Sequence, residues 1–161
     1  MKTKFASLAL GAFFFLAVAL VTPLHAQFAY VANGNGNTVS GYSIDRKTGA
    51  LTAVAGSPFA TGLNPFSVAL DPTGQFAYVA NAGGNTVSGY SIDRNTGALT
   101  PVPASPFAAG SVPNSVAVTA QFAYVTNRNS NTVSGYSIDR KTEALTPVPG
   151  SPFAMGPFPC Q

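Results

Sequence analysis

Gln27-Phe28-Ala29-Tyr30-Val31 returns as Gln75-Phe76-Ala77-Tyr78-Val79 and again as Gln121-Phe122-Ala123-Tyr124-Val125, at spacings of 48 and then 46 residues. Two further blocks keep the same period. Asn37-Thr38-Val39-Ser40-Gly41-Tyr42-Ser43-Ile44-Asp45 returns unchanged from Asn85 and from Asn131, and Ser57-Pro58-Phe59-Ala60 returns from Ser105 and from Ser151. A fixed period of this length marks a repeat architecture, in which one small unit is stacked on its copies. The near identity extends to surface-like positions, as recent duplication would leave it.

The middle unit parses into four strands. Phe66–Leu70 is the first, followed by the tight turn Asp71-Pro72-Thr73-Gly74, where proline presets φ and glycine accepts a positive φ. The second is Gln75–Ala80, closed by the Asn- and Gly-rich turn Asn81–Asn85. Thr86–Ile92 is the third, and after Asp93-Arg94-Asn95-Thr96-Gly97 the fourth runs from Ala98 to about Val102. Pro101, Pro103 and Pro106 suit an outer, edge-like strand and the loop after it. Phe76 and Tyr78 point to one face, Ala77 and Val79 to the other, so both faces are apolar and both need cover. Sheets stacked face to face provide it. No 3.6-residue period appears after residue 26, which argues against a helical solenoid. The expected fold is all-β: a β-propeller-type array of three four-stranded antiparallel blades, over residues 27–62, 63–110 and 111–156 with a tail at 157–161. The first blade lacks its inner strand, so the propeller is incomplete and open.

Residues 1–26 read as an export signal: Lys2 and Lys4, then the uncharged run Phe5–Val21, then Pro23 and a small residue, Ala26, before Gln27. An uncleaved N-terminal anchor is the alternative, and only then would the chain touch a membrane. The expected location is exported: periplasmic, cell-surface or extracellular. The two signal lysines leave six basic residues against five acids, so the net charge of +3 falls to +1. With the arginines scattered, nothing suggests a nucleic-acid partner. Cys160 is the lone cysteine of an exported chain and forms no internal disulfide.

Tyr30-Val31-Ala32-Asn33, Tyr78-Val79-Ala80-Asn81 and Tyr124-Val125-Thr126-Asn127 resemble the YVTN family of β-propeller repeats. The wider unit, with Asn-Thr-Val-Ser-Gly-Tyr, Thr-Gly-Ala-Leu-Thr and Asp-Pro-Thr-Gly, is similar to the lactonase, or 6-phosphogluconolactonase-like, seven-bladed propellers. The resemblance implies the propeller fold, and for activity the hydrolysis of a sugar-derived lactone. The count of units departs from that family. The sequence after Ala26 starts at a second strand and ends where a fourth unit would begin, as a truncated gene product or a chain completed by other copies of itself would.

The search for chemistry finds little. The only histidine, His25, lies in the signal, and no cofactor, metal set or catalytic constellation is expected. Asp45, Asp93 and Asp139 follow the third strand of each unit and read as turn formers, with a general base or Ca²⁺ ligand as the sharper alternative. Asn33, Asn81 and Asn127 end the second strands. They read as turn residues, or else as a rim of repeated amides for a protein or carbohydrate ligand. Arg128 completes this set of binding-rim candidates. Glu143 replaces the turn glycine of the other units and is expected to be exposed, at a cost on the order of 1 kcal/mol if φ is positive there. The leading expectation is a non-catalytic binding or scaffold module that associates with other blades or copies of itself. The alternative is a lactone hydrolase, a carboxylic ester hydrolase marked by an acid and a base converging on one channel face.

Overall fold

The computed structural model describes residues 27–156; the expected signal, the tail and Cys160 lie outside them. The described residues form three antiparallel sheets. The first is β1 (Gln27–Asn33), β2 (Thr38–Ile44) and β3 (Leu51–Ala53), with β4 (Phe59–Ala60) also on β2. The second is β5 (Pro65–Leu70), β6 (Phe76–Asn81), β7 (Thr86–Ile92) and β8 (Leu99–Pro101), with β9 (Phe107–Ala108) on β7. The third repeats it: β10 (Pro113–Val118), β11 (Phe122–Asn127), β12 (Thr132–Ile138), β13 (Leu145–Pro147) and, on β12, β14 (Phe153–Ala154). Among the described residues the chain thus forms the expected all-β array of three blades, the first without an inner strand.

Four strands per unit is one too few. The outer strand β8 is three residues long and pairs only Tyr90, Ser91 and Ile92 of β7. The other end of that edge, Thr86 and Val87, is paired by β9, which the Ser-Pro-Phe-Ala block supplies. Between the two, the Gly89 N–H donates to the Ser105 hydroxyl at 3.0 Å and the Gly89 carbonyl accepts from Val102 N–H at 3.0 Å. The same closure recurs at Gly41 with Ser57 and at Gly135 with Ser151. An edge that would leave donors unpaired is thus sealed. Glycine is required there because a Cβ on Gly89 would stand 2.9 Å from Val102 and 3.3 Å from both Phe107 and Tyr78.

Two apolar layers hold the sheets together. Between the first and second sheets lie Val39, Ala77, Val79, Tyr90, Ile92 and Leu99, with Tyr30 and Phe59 packed against them. Tyr78, Ala80, Val87, Val116, Val125 and Tyr136 are prominent between the second and third. The alternation in β6 has the consequence read from sequence: Ala77, Tyr78, Val79 and Ala80 are all fully buried. Side chains at equivalent positions face the same way around the array. Phe28 and Tyr30 therefore face the second sheet, whereas Phe122 and Tyr124 face away from it and are 37% and 40% exposed.

The turns follow their sequences. Asn37, Asn85 and Asn131 adopt φ of 53°, 54° and 50°, the left-handed region that asparagine tolerates. Where the third unit lacks Asp-Pro-Thr-Gly, Thr119 replaces Asp71: its hydroxyl accepts the N–H groups of Gln121 and Phe122, as the Asp71 carboxylate accepts those of Gln75 and Phe76.

Candidate functional site

The turns in which the second strand of each unit hands over to the third gather at one end of the sheets and carry Asn33, Asn81, Asn127 and Arg128. The amide of Asn81 is fully buried. Its Nδ2 donates to the hydroxyls of Thr86 (3.1 Å) and Ser88 (2.9 Å), and its Oδ1 accepts from the Thr61 hydroxyl at 3.1 Å. Asn127, equally buried, binds Thr132 and Ser134 and accepts from Gly110 N–H at 3.1 Å. Each amide thus ties its own hairpin to the loop arriving from the preceding sheet. Asn33 keeps the two hairpin contacts, to Thr38 and Ser40, and is only half-buried. Arg128 is exposed, its N–H bonded to the Val112 carbonyl at 2.9 Å.

The repeated aspartates hold their turns. Asp45 accepts the N–H groups of Lys47 and Thr48, both at 2.9 Å, and Asp93 and Asp139 repeat the arrangement. The Thr48 and Lys47 bonds hold the Asp45 carboxyl below the usual aspartate value, and equivalent backbone bonds do so at Asp93 and Asp139. Among the described residues, no group of three or more His, Cys, Asp or Glu side chains is arranged to hold a metal ion.

The opposite end holds a polar cleft that strand-by-strand reading missed. It has a volume of about 130 Å³, lies between the second and third sheets, and is lined by Asp71, Thr73, Phe76, Thr119, Arg140 and Glu143 among others. Glu143 is not exposed, as its place in a turn suggested, but half-buried. Its φ is +57°, where Gly49 and Gly97 adopt +73° and +74°. The Tyr78 hydroxyl donates to the Glu143 carbonyl at 3.2 Å and reaches Oε2 at 3.4 Å. Burial, and then the Asp71 carboxylate, push the Glu143 carboxyl above the ordinary glutamate value. Asp71 moves the other way: burial raises it, but bonds from the Thr73 hydroxyl and from the N–H groups of Phe76, Thr73 and Gln75 together hold it low. Two carboxyl groups with opposed tendencies thus share a cleft with a guanidinium. The signal available in the sequence was that Glu143 and Asp71 fall at the same end of adjacent units.

The family model for the seven-bladed β-propeller lactonases matches residues 19–118, more than half of the chain. The chain belongs to that lactonase family. No curated protein matches the sequence. Among solved structures, this lactonase-family chain is similar to a protein of Bacteroides fragilis described as a candidate 6-phosphogluconolactonase (22% identity, TM-score 0.69, covering 80% of this chain and 36% of that one). It is also similar to the periplasmic gluconolactonase of Pseudomonas aeruginosa (21%, TM-score 0.63, covering 78% and 38%). A functionally unknown protein of Desulfotomaculum acetoxidans matches at 25% identity and TM-score 0.62, covering 80% and 42%. At these identities the first two likenesses speak for the fold, and the chain spans less than half the length of each of the three.

Proposed function

We propose that the chain is an exported blade module of the lactonase-propeller type that binds a protein or carbohydrate partner and carries out no hydrolysis of its own. One observation carries this reading: the polar side chains that recur in every unit are committed to holding the fold. The Asp carboxylates accept turn N–H groups, the Asn81 and Asn127 amides tie their hairpins to loops while Asn33 braces its own hairpin, and the Tyr90 and Tyr136 hydroxyls donate to the carbonyls of Ala60 and Ala108. What the repeat offers a partner is its loop-bearing end, where Arg128 is exposed.

Lactone hydrolysis is the second reading, favoured by the family and by the cleft of Asp71, Arg140 and Glu143. Such a reaction needs a base to take a proton from water and a cation near the carbonyl oxygen as it gains charge. In this reading a carboxylate of the cleft takes the proton and Arg140 faces the developing oxyanion. The purified chain is assayed against a panel of sugar lactones, including gluconolactone and its 6-phosphate. No turnover above the spontaneous rate is the expected result. Turnover that falls at least tenfold in both Asp71→Asn and Glu143→Gln would replace the first reading with the second. Export is checked separately, by fractionating cells and sequencing the N-terminus of the mature chain, expected at Gln27.

A further inference from the structure

The two sheet-to-sheet junctions inside the chain use one set of contacts twice. The ring hydroxyl of the second strand donates forward, from Tyr30 to the Gly97 carbonyl (2.8 Å) and from Tyr78 to the Glu143 carbonyl (3.2 Å). A ring hydroxyl of the third strand donates backward, from Tyr90 to the Ala60 carbonyl (2.7 Å) and from Tyr136 to the Ala108 carbonyl. At each junction a glycine lets the next sheet's asparagine approach. A Cβ on Gly62 would lie 2.6 Å from the Asn81 amide, and one on Gly110 would lie 2.6 Å from that of Asn127. In the first junction Phe28 also lies against Gly97, where a Cβ would meet its ring at 2.5 Å.

The outer faces of the array keep both halves of this set without partners among the described residues. The third sheet presents Phe122, Tyr124, the Ala154 carbonyl and Gly156; a Cβ on Gly156 would meet nothing within 4 Å. The first sheet presents Gly49, also open to 4 Å, together with the Tyr42 ring and the Asn33 amide oxygen. Each group on one face matches one on the other, in the register the internal junctions define.

We propose that the third sheet of one copy docks on the first sheet of a second copy, head to tail, reproducing the internal junction. Phe122 then covers Gly49, Tyr124 donates to the Gly49 carbonyl, Tyr42 donates to the Ala154 carbonyl, and Asn33 lies over Gly156. The contact is heterologous, so each copy uses a different face toward each neighbour and the assembly closes as a ring or continues as an array. The proposal is independent of whether the module hydrolyses anything, and its test reads assembly alone.

Two populations are prepared in a Cys160→Ser background, one carrying Asn33→Cys and the other Gly156→Cys. The equivalent pair Gly62 and Asn81 has its Cβ positions 3.0 Å apart, close to disulfide reach. On mixing under mild oxidant, the expected product is predominantly the mixed disulfide. Homodisulfides in excess, or no crosslink, overturn the head-to-tail arrangement. In parallel, light scattering follows Gly156→Leu. The leucine's Cβ meets nothing within 4 Å among the described residues of the single chain and a collision in the junction. The parent is expected to show a concentration-dependent rise in mass, and the variant to keep the wild-type circular dichroism and lose that rise. A parent that stays at the mass of one chain across the micromolar range overturns the proposal.

Discussion

Tyr78 and Tyr124 occupy the same place in the same pentapeptide, on strands with the same register, yet one is fully buried and the other 40% exposed. Their own strands do not differ in any way that would explain this. Tyr78 has a third sheet in front of it and an acceptor for its hydroxyl in the Glu143 carbonyl; Tyr124 has neither among the described residues. Burial in this fold is conferred by the next unit, so identical sequences carry very different shares of the stability.

The sharpest way to break the comparison is to truncate both rings. Tyr78→Ala is expected to cost about 3–5 kcal/mol in guanidinium unfolding, the range for a buried aromatic. Tyr124→Ala, measured on dilute chain, is expected to cost about 1–2 kcal/mol, as a ring 40% exposed has only part of its burial to lose. Equal costs would mean that something covers the outer face even in dilute solution. A smaller version of the contrast lies in the amides. Asn81→Ala leaves Ser88 and Thr61 without their partner in a buried site and is expected to lose roughly 1–3 kcal/mol, with Asn33→Ala well below it.

The third unit also differs from the second in backbone strain. Val112 has φ of 52° where the second unit has Asn64 at 49°, and a β-branched residue is poorly suited to that region. Val112→Asn and Glu143→Gly, which restore the residues of the second unit, are each expected to gain on the order of 1 kcal/mol in thermal or chemical unfolding. No gain from either would show that these turns relax in solution.

The smallest expected effect is electrostatic. The Glu143 carboxyl has a folded pKa above its unfolded value near 4.5. Its protonated form is therefore the better accommodated one, and its contribution is most favourable below the unfolded pKa and is lost as pH rises through the folded pKa. Glu143→Gln should unfold at a slightly higher temperature than the parent at neutral pH, with the difference vanishing once the solution is more acidic than the unfolded pKa. The turn aspartates have the opposite sign. Their folded pKa values lie below 3.8, so their contribution is present above that value and is lost as pH falls through the folded pKa.

Much of this was legible in the sequence, because the repeat prints each strand three times and the alternation Phe-Ala-Tyr-Val marks two apolar faces. Two things were hidden. The strand Phe59–Ala60 and its copies are two residues long, too short for any period to register, and they follow a proline that reads as a loop. The direction in which Phe and Tyr point could not be read either, because both faces of the strand are apolar; only the assembled sheets show that Tyr30 faces inward and Tyr124 outward. The cleft of Asp71 and Glu143 was missed for a related reason. Its members sit in different units, 72 positions apart, and each alone has an adequate explanation as a turn residue.

β2, β7 and β12 have the same seven residues, Thr-Val-Ser-Gly-Tyr-Ser-Ile, so their side chains give β1 no means of choosing among them as the chain folds. Chain connectivity makes the choice. β1 reaches β2 across the four residues 34–37, and would reach β7 only across the 52 residues 34–85. Closing the longer loop costs roughly 2 kcal/mol more in chain entropy, a preference on the order of thirtyfold for the correct partner. A short hairpin turn is thus the proofreading step of a repeat whose strands are interchangeable. Inserting a flexible stretch at Gly34–Gly36 would weaken that step and send part of the population into sheets built from the wrong units.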